Sequence, residues 1–343
     1  TREPSNVLVL SGGGANGSYT AGVLNGWTEA GNRPQFDVVT GISTGALIAP
    51  FAFLGPAYDH QLTTIYTNYS TNELVTPQIV TGLLGGIAIT ETSKLKDLIA
   101  LYLTDRMIAE IQSARPDVVA LVHAETSTGV LNPVRDIAQV AHELGALVLV
   151  DAVTSLGGHP LDVAGWGLDA VYSCTQKCVG APSGMAPVAW TEAARARRVP
   201  CRSFYLDLEL LEDYWVKRKY HHTLSSTLLY ALREALIAID EEGLEARWER
   251  HRKHHLALAR GLDAMGLELL PPESERLWTL NAIKVPDGVN EAAVRQRLLR
   301  EFGMEIGAGL GPLAGKIWRV GLMGASSSRS LLLLFLGALE HVL

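Results

Sequence analysis

Residues 146–177 read ALVLVDAVTSLGGHPLDVAGWGLDAVYSCTQK. Two apolar runs lie in this stretch, Ala146–Val150 and Leu168–Ser173. Each has the length of a buried strand and is too short for a buried helix. Asp151 follows the first run directly, and Lys177 lies just past the second. Upstream, Asp117–Ala124 reads as a strand. Val134–Leu144 reads as a helix, stopped by Gly145 at the usual C-terminal position. This alternation predicts an α/β fold, a mostly parallel sheet with helices on both faces. Ligands of open α/β sheets bind at the carboxyl edge of the strands. Asp151 and Lys177 then stand at neighbouring strand ends, where they form either a salt bridge or a catalytic amine–carboxylate pair.

The pattern continues on both sides. From about Leu277 the chain reads strand, helix (Glu291–Phe302), strand, loop, strand (Trp318–Leu322) and helix, which suits a small α+β domain. The run Leu331–Leu336 is far shorter than a membrane span and reads as the core-facing part of that last helix. Towards the N-terminus, Asn6–Leu10 is a strand that stops at Gly12-Gly13-Gly14, with a helical pattern from about Ser18. Phe36–Thr40 is a second strand, followed by Gly41 and the apolar run Ala46–Phe53. Residues 56–92 give no clear pattern, and Gly82, Gly85 and Gly86 mark a loop. Ser93–Ser113 reads as helical.

Composition narrows the classes. The chain has 343 residues, 48% hydrophobic and 19% charged, which is ordinary for a soluble protein with a core. A formal charge of −7 leaves no basic face for nucleic acid. Three cysteines make no disulfide framework, so a reducing, cytoplasmic compartment is expected. No signal peptide is visible after Thr1-Arg2-Glu3-Pro4. His251, His254 and His255 fall at i, i+3 and i+4 on a basic helix. No acidic or cysteine partner accompanies them, so a solvated face is expected and no metal site.

The wording around the two strand ends is specific. His123-Ala124-Glu125-Thr126-Ser127-Thr128-Gly129-Val130-Leu131-Asn132-Pro133, then Val150-Asp151-Ala152-Val153-Thr154-Ser155-Leu156-Gly157-Gly158, then Thr175-Gln176-Lys177, resemble the class V aminotransferases of the alanine/serine–glyoxylate group. Tyr220-His221-His222-Thr223 and Trp318-Arg319-Val320-Gly321-Leu322-Met323-Gly324 continue the match. The resemblance runs from about residue 111 to the C-terminus. It implies pyridoxal 5'-phosphate (PLP) as cofactor and an amino acid and an oxo acid as substrates. Lys177 would carry the cofactor covalently and move the proton at the substrate α-carbon, as a lysine of lowered pKa can. Asp151 would keep the ring nitrogen protonated, Ser127 would lie near the ring hydroxyl, and Gln176 near the phosphate. Tyr220 and Thr223 would reach the phosphate of a neighbouring subunit's cofactor, which implies a homodimer. Arg319 would clamp the substrate carboxylate. Two departures stand out: Cys174 where the family usually has Gly, and Ser183 where it often has Pro. The first raises the question of whether that turn needs a positive φ.

The N-terminal segment has a different vocabulary. Gly41-Ile42-Ser43-Thr44-Gly45 follows a strand and opens an apolar helix, the setting of a nucleophile elbow. Gly12-Gly13-Gly14-Ala15-Asn16-Gly17 also matches a dinucleotide fingerprint, but Asp37 begins the second strand instead of ending it. Together the two motifs resemble the patatin-like phospholipases over about residues 6–110. Ser43 would be the nucleophile, with the backbone of Gly13 and Gly14 as oxyanion hole. The family's downstream Asp-Gly-Gly or Asp-Gly-Ala motif does not occur, and Asp287-Gly288-Val289 comes nearest.

The chain thus reads as composite, with a join near residues 105–116. A patatin-like βα fragment spans 1–110, an incomplete PLP fold type I large domain 111–240, and a small C-terminal domain 241–343. Three functions remain open. One is PLP-dependent transamination, impaired or absent because nothing in 1–110 resembles the first third of that fold. The others are a serine acyl hydrolase lacking its aspartate and a chain with two half-sites and no catalysis.

Overall fold

The computed structural model describes residues 6–10, 17–41, 44–68, 76–77, 90–91, 104–114, 117–198, 200–310 and 313–343. The chain divides into two compact units, residues 1–116 with 309–316, and residues 117–308 with 317–343.

In the first unit the strands Val7–Leu10 and Val38–Gly41 pair in parallel, with Leu10 opposite Gly41. The helix Gly17–Glu29 connects them. The helix Thr44–Leu54 follows the second strand after two residues that lie outside the described set. Its apolar residues Ile48 and Phe51 are buried with Leu10, Leu24, Phe36 and Leu62. Among the described residues of 56–92, the α-helix Asp59–Asn68 is one that the pattern did not reveal. It packs Leu62 inward, and Asp59 forms a buried ion pair with Arg33 at 2.6 Å. The expected helix near the join is Asp105–Ala114. Met107 lies in this unit's core, and Glu110 accepts a 2.7 Å hydrogen bond from the Tyr58 hydroxyl.

The second unit holds two sheets. One runs in the order Val188–Trp190, Ala170–Tyr172, Leu147–Asp151, Val118–Val122. The last three strands are parallel and the first is antiparallel. This is the mostly parallel sheet expected from the βα alternation. The helix Val134–Glu143 covers it with Val134, Ala138 and Ala141 against Val148, Val150 and Val171. Gly145 ends that helix region at φ 78°, where a side chain would strain the backbone. The central strand is the most buried, whereas Val118 and Val188 on the outer strands are 50% and 43% exposed.

The other sheet is antiparallel, in the order Leu280–Lys284, Ile317–Gly321, Gly307–Ala308. The helices Leu244–Ala264, Glu291–Phe302 and Arg329–Val342 pack on it around Trp318, Leu258, Leu298 and Phe335. Asn290 caps the second helix through the Ala293 N–H, and Ser328 caps the third through the Leu331 N–H. The run Leu331–Leu336 faces the core only in part: Leu332 and Phe335 are buried while Leu331, Leu333 and Leu334 are exposed. Helical periodicity divides a continuous apolar run between two faces.

The histidine triplet departs from expectation. His251 and His255 are buried, and only His254 is half-buried. Polar partners make this burial tolerable. His251 Nδ1 bonds the Arg247 carbonyl at 2.8 Å, His255 Nδ1 bonds Asn281 Oδ1 at 2.6 Å, and His254 bonds the Ser327 hydroxyl. Among the described residues no cluster of three metal-ligating side chains occurs. Nor is any described helix long and apolar enough to cross a membrane.

Candidate functional site

Asp151 ends the central strand of the parallel sheet, with Val122 and Tyr172 as its register partners on either side. Its carboxylate is doubly held. Oδ1 accepts the Val153 N–H at 2.8 Å, and Oδ2 accepts the Tyr172 hydroxyl at 2.8 Å. Burial, with the Asp151 charge beside it, pushes the Tyr172 phenol up to about 12.

Lys177 lies in the turn after the strand Ala170–Tyr172 and is half-buried. The turn is well pinned. The Ser173 N–H donates to Pro187 O, the Thr175 hydroxyl donates to Pro182 O at 2.6 Å, and Gly180 N–H closes onto Lys177 O at 3.1 Å. Gly180 sits at φ 84°, whereas Cys174 is not among the residues with positive φ. The Cys174 position therefore does not demand glycine.

Three contacts lay this turn alongside the segment after Asp151. The Ser173 hydroxyl donates to Ala152 O at 2.9 Å, the Cys174 thiol to Val153 O at 3.8 Å, and the Cys178 thiol to Thr154 O at 3.5 Å. Asp151 and Lys177 are thus held on adjacent, cross-bonded segments. They do not form the salt bridge that their spacing also allowed. Asp151 is taken by Tyr172 and Val153, and the Lys177 amine has no hydrogen bond or ion pair among the described residues.

Ser127 and Arg319 join the same neighbourhood through Thr126. The Thr126 and Thr154 hydroxyls share a 2.7 Å hydrogen bond. Arg319 donates from Nη1 to Thr126 O at 3.3 Å and from Nε to Ala308 O at 2.7 Å. Ser127 gives both its N–H and its hydroxyl to Glu125 Oε1, at 2.8 and 2.6 Å. Gln176 is exposed. Tyr220 and Thr223 bond to each other at 2.8 Å, and Tyr220 is 71% exposed. No hydrogen bond among the described residues ties this pair to Asp151 or Lys177. The donor set fits PLP: a free amine for the aldehyde, a carboxylate with spare lone pairs for a ring N–H, and a guanidinium for a carboxylate.

Sequence reasoning missed Tyr172, which strand register alone brings to Asp151. It also missed a buried clamp on the Lys177 turn. Arg247 donates from Nη2 to Cys178 O at 2.7 Å, from Nε to Gly157 O at 3.1 Å, and from Nη1 to Glu242 at 2.7 Å. Hydrogen bonding from Arg250, then from Arg247, holds the Glu242 carboxyl down at about 2. Nearby, His123 bonds the Ser155 hydroxyl at 3.0 Å, and His159 stacks on Trp278 at 3.9 Å. Burial lowers His123 to about 4 and His159 to about 3.

Ser43, Gly13 and Gly14 lie outside the described residues. Their setting is partly visible. The strand Val38–Gly41 ends two residues before Ser43, and the helix Thr44–Leu54 begins one residue after Gly41-Ile42-Ser43. A Cβ on Gly45 would collide with the Leu10 backbone, so the helix start packs tightly on the first strand.

Comparison with known proteins gives two family matches. A family model of the patatin-like phospholipases matches residues 8–152, and one of the class V aminotransferases matches residues 92–319. The two overlap over 92–152. The chain is 43% identical over 260 residues to the (S)-ureidoglycine–glyoxylate transaminase of Bacillus subtilis (strain 168), covering 69% of this chain. It is 38% identical to the alanine–glyoxylate aminotransferase of Callithrix jacchus, covering 67% of this chain. It spans 62% and 58% of those two proteins. Among solved structures, the ureidoglycine–glyoxylate aminotransferase of Bacillus subtilis superposes with a TM-score of 0.66 at 42% identity, over 73% of this chain and 70% of that one. The alanine–glyoxylate aminotransferase of Nostoc sp. superposes with a TM-score of 0.69 at 34% identity, over 99% of this chain and 76% of that one. With Asp151 and Lys177 on adjacent cross-bonded segments and a family match over two-thirds of its length, this chain belongs to the class V aminotransferases, and its N-terminal part carries a patatin-like segment.

Proposed function

We propose that the second unit carries the cofactor-binding lysine, the ring-nitrogen carboxylate and the substrate clamp of a PLP-dependent aminotransferase. The reaction moves an amino group from alanine or serine to glyoxylate. One observation carries the proposal: the Lys177 amine, without a hydrogen bond or ion pair among the described residues, lies on a turn cross-bonded to the segment of Asp151.

PLP, when bound, supplies an aldehyde that condenses with amines and a ring that takes up the electron pair released at the substrate α-carbon. Lys177 binds the cofactor and carries the proton to and from the α-carbon. Asp151 holds the proton on the ring nitrogen, and Ser127 adjoins the ring hydroxyl. Gln176 contributes to the phosphate anchor, with Tyr220 and Thr223 added from a partner subunit in a homodimer. Arg319 orients the substrate through its carboxylate. Residues 111–240 act as the large domain and 241–343 as the small one, in a cytoplasmic setting that suits three free cysteines.

This chain holds PLP weakly and turns over little. Residues 8–91 match the patatin-like family alone, where the aminotransferase fold has its upstream phosphate loop and stacking aromatic. The test is dialysis against cofactor-free buffer. Colour should be lost, and transamination of glyoxylate should be near background. Protein that stays yellow, depends on Lys177 and transaminates at a robust rate would show that residues 1–110 rebuild the missing wall.

A second reading gives Ser43 an acyl-hydrolase role. The close packing of Gly45 on Leu10 favours it, because an elbow needs small residues there. Without the family's aspartate motif, turnover on esters should be very low. If neither half-site works, the chain is a composite without catalysis, and both assays will show it.

A further inference from the structure

Strand pairing decides where the phenol of Tyr172 goes. Asp151 and Tyr172 are register partners across the parallel strands Leu147–Asp151 and Ala170–Tyr172. Register partners project their side chains to the same face of a sheet. The Tyr172 hydroxyl reaches Asp151 Oδ2 at 2.8 Å, and the Val153 N–H reaches Oδ1 at 2.8 Å. One donor on each oxygen fixes the carboxylate plane and leaves each oxygen a lone pair. Both donors keep their protons near neutral pH. An amide N–H does not ionise there, and burial beside a carboxylate pushes the phenol up to about 12.

We infer that Tyr172 is a positioning residue, one that holds the Asp151 carboxylate oriented so that a remaining lone pair can meet the protonated ring nitrogen of PLP. This role rests on the function proposed above. Tyr172 is 39% exposed, so its ring is not a core element whose loss would unfold the sheet.

The test uses Tyr172→Phe, which keeps the ring and deletes the donor. In cofactor-free full-length protein at neutral pH, the Asp151 carboxyl carbon is observed by NMR, with Asp151→Asn to assign the signal. The signal should move in Tyr172→Phe, because the donor on Oδ2 is lost. With PLP added, the dissociation constant should weaken roughly three- to tenfold. The pH dependence of the Lys177-dependent visible band should shift as well. A merely structural role would move the thermal midpoint and leave the dissociation constant and the band in place. An unchanged dissociation constant overturns the inference and leaves the proposed function standing. A visible band in the parent protein that survives Lys177→Ala overturns both.

Discussion

Arg247 Nη2 donates a 2.7 Å hydrogen bond to the carbonyl of Cys178, so an arginine from the helix Leu244–Ala264 grips the residue next to Lys177. The same guanidinium reaches Gly157 O and Glu242, and Glu242 is shared with Arg250. A buried guanidinium that loses its carboxylate, or the reverse, leaves a charge without compensation.

Arg247→Met should therefore destabilise the second unit by about 3 kcal/mol. It should also loosen the turn that presents Lys177. Urea denaturation measures the first effect. Trypsin cleavage after Lys177 in the native protein measures the second and should accelerate. A double variant, Arg247→Met with Glu242→Leu, should not recover the stability, because Arg250 then loses its carboxylate as well.

Acid should destabilise the second unit in two overlapping windows. Burial depresses His123 to about 4 and His159 to about 3, below the ordinary value of 6.5. The folded state therefore favours the neutral rings. Their contribution is fully present above 6.5 and is lost as pH falls from there towards 4 and 3. Glu242, held at about 2 against an ordinary 4.5, contributes above 4.5 and loses that contribution between 4.5 and 2. In His159→Phe the decline of the urea midpoint between pH 6.5 and 3 should flatten, with the decline below pH 3 unchanged.

Gly45→Ala places a Cβ against the Leu10 backbone, which cannot yield as a flexible side chain would. The first unit should lose roughly 1–3 kcal/mol. Slow labelling of Ser43 by a fluorophosphonate probe, measurable by intact mass, should fall in parallel. Robust ester turnover abolished by Ser43→Ala would show that a residue outside the expected motif activates the serine.

Gly158→Ala is the corresponding test in the second unit. Its Cβ would lie 2.6 Å from the Cys178 sulfur and 2.5 Å from Thr279 Cγ2. Neither neighbour is the end of a long side chain, so a loss of about 1–3 kcal/mol is expected. Calorimetry on the single variant checks it.

The sequence carried the sheet and the neighbouring strand ends of Asp151 and Lys177 because their signals are local. Apolar runs with Gly145 between them mark the strand before Asp151, and the wording around Lys177 is contiguous. Tyr172 escaped because its partner lies 21 residues away, and only register brings the two together. The helix Leu244–Ala264 misled for another reason. Its polar composition suggested a solvated face, yet Arg247, His251 and His255 are buried and bond to carbonyls and Asn281, with His251 Nε2 left without a partner among the described residues. A polar side chain whose partners come from distant segments looks, in sequence, like a surface residue. Ser43, Gly13 and Gly14 were legible as motifs, and their geometry lies outside the described residues.

Arg319 Nε and Nη1 are committed to the carbonyls of Ala308 and Thr126, while Nη2 has no hydrogen bond among the described residues. A long side chain frozen on binding gives up about 2 kcal/mol of rotamer freedom. Here that ordering is already complete, set by folding before any ligand arrives. In the clamp role proposed for Arg319, an incoming carboxylate would meet a stationary N–H donor and displace neither carbonyl. Affinity there would be governed by desolvation of the two charges, and it should weaken with salt more than with temperature.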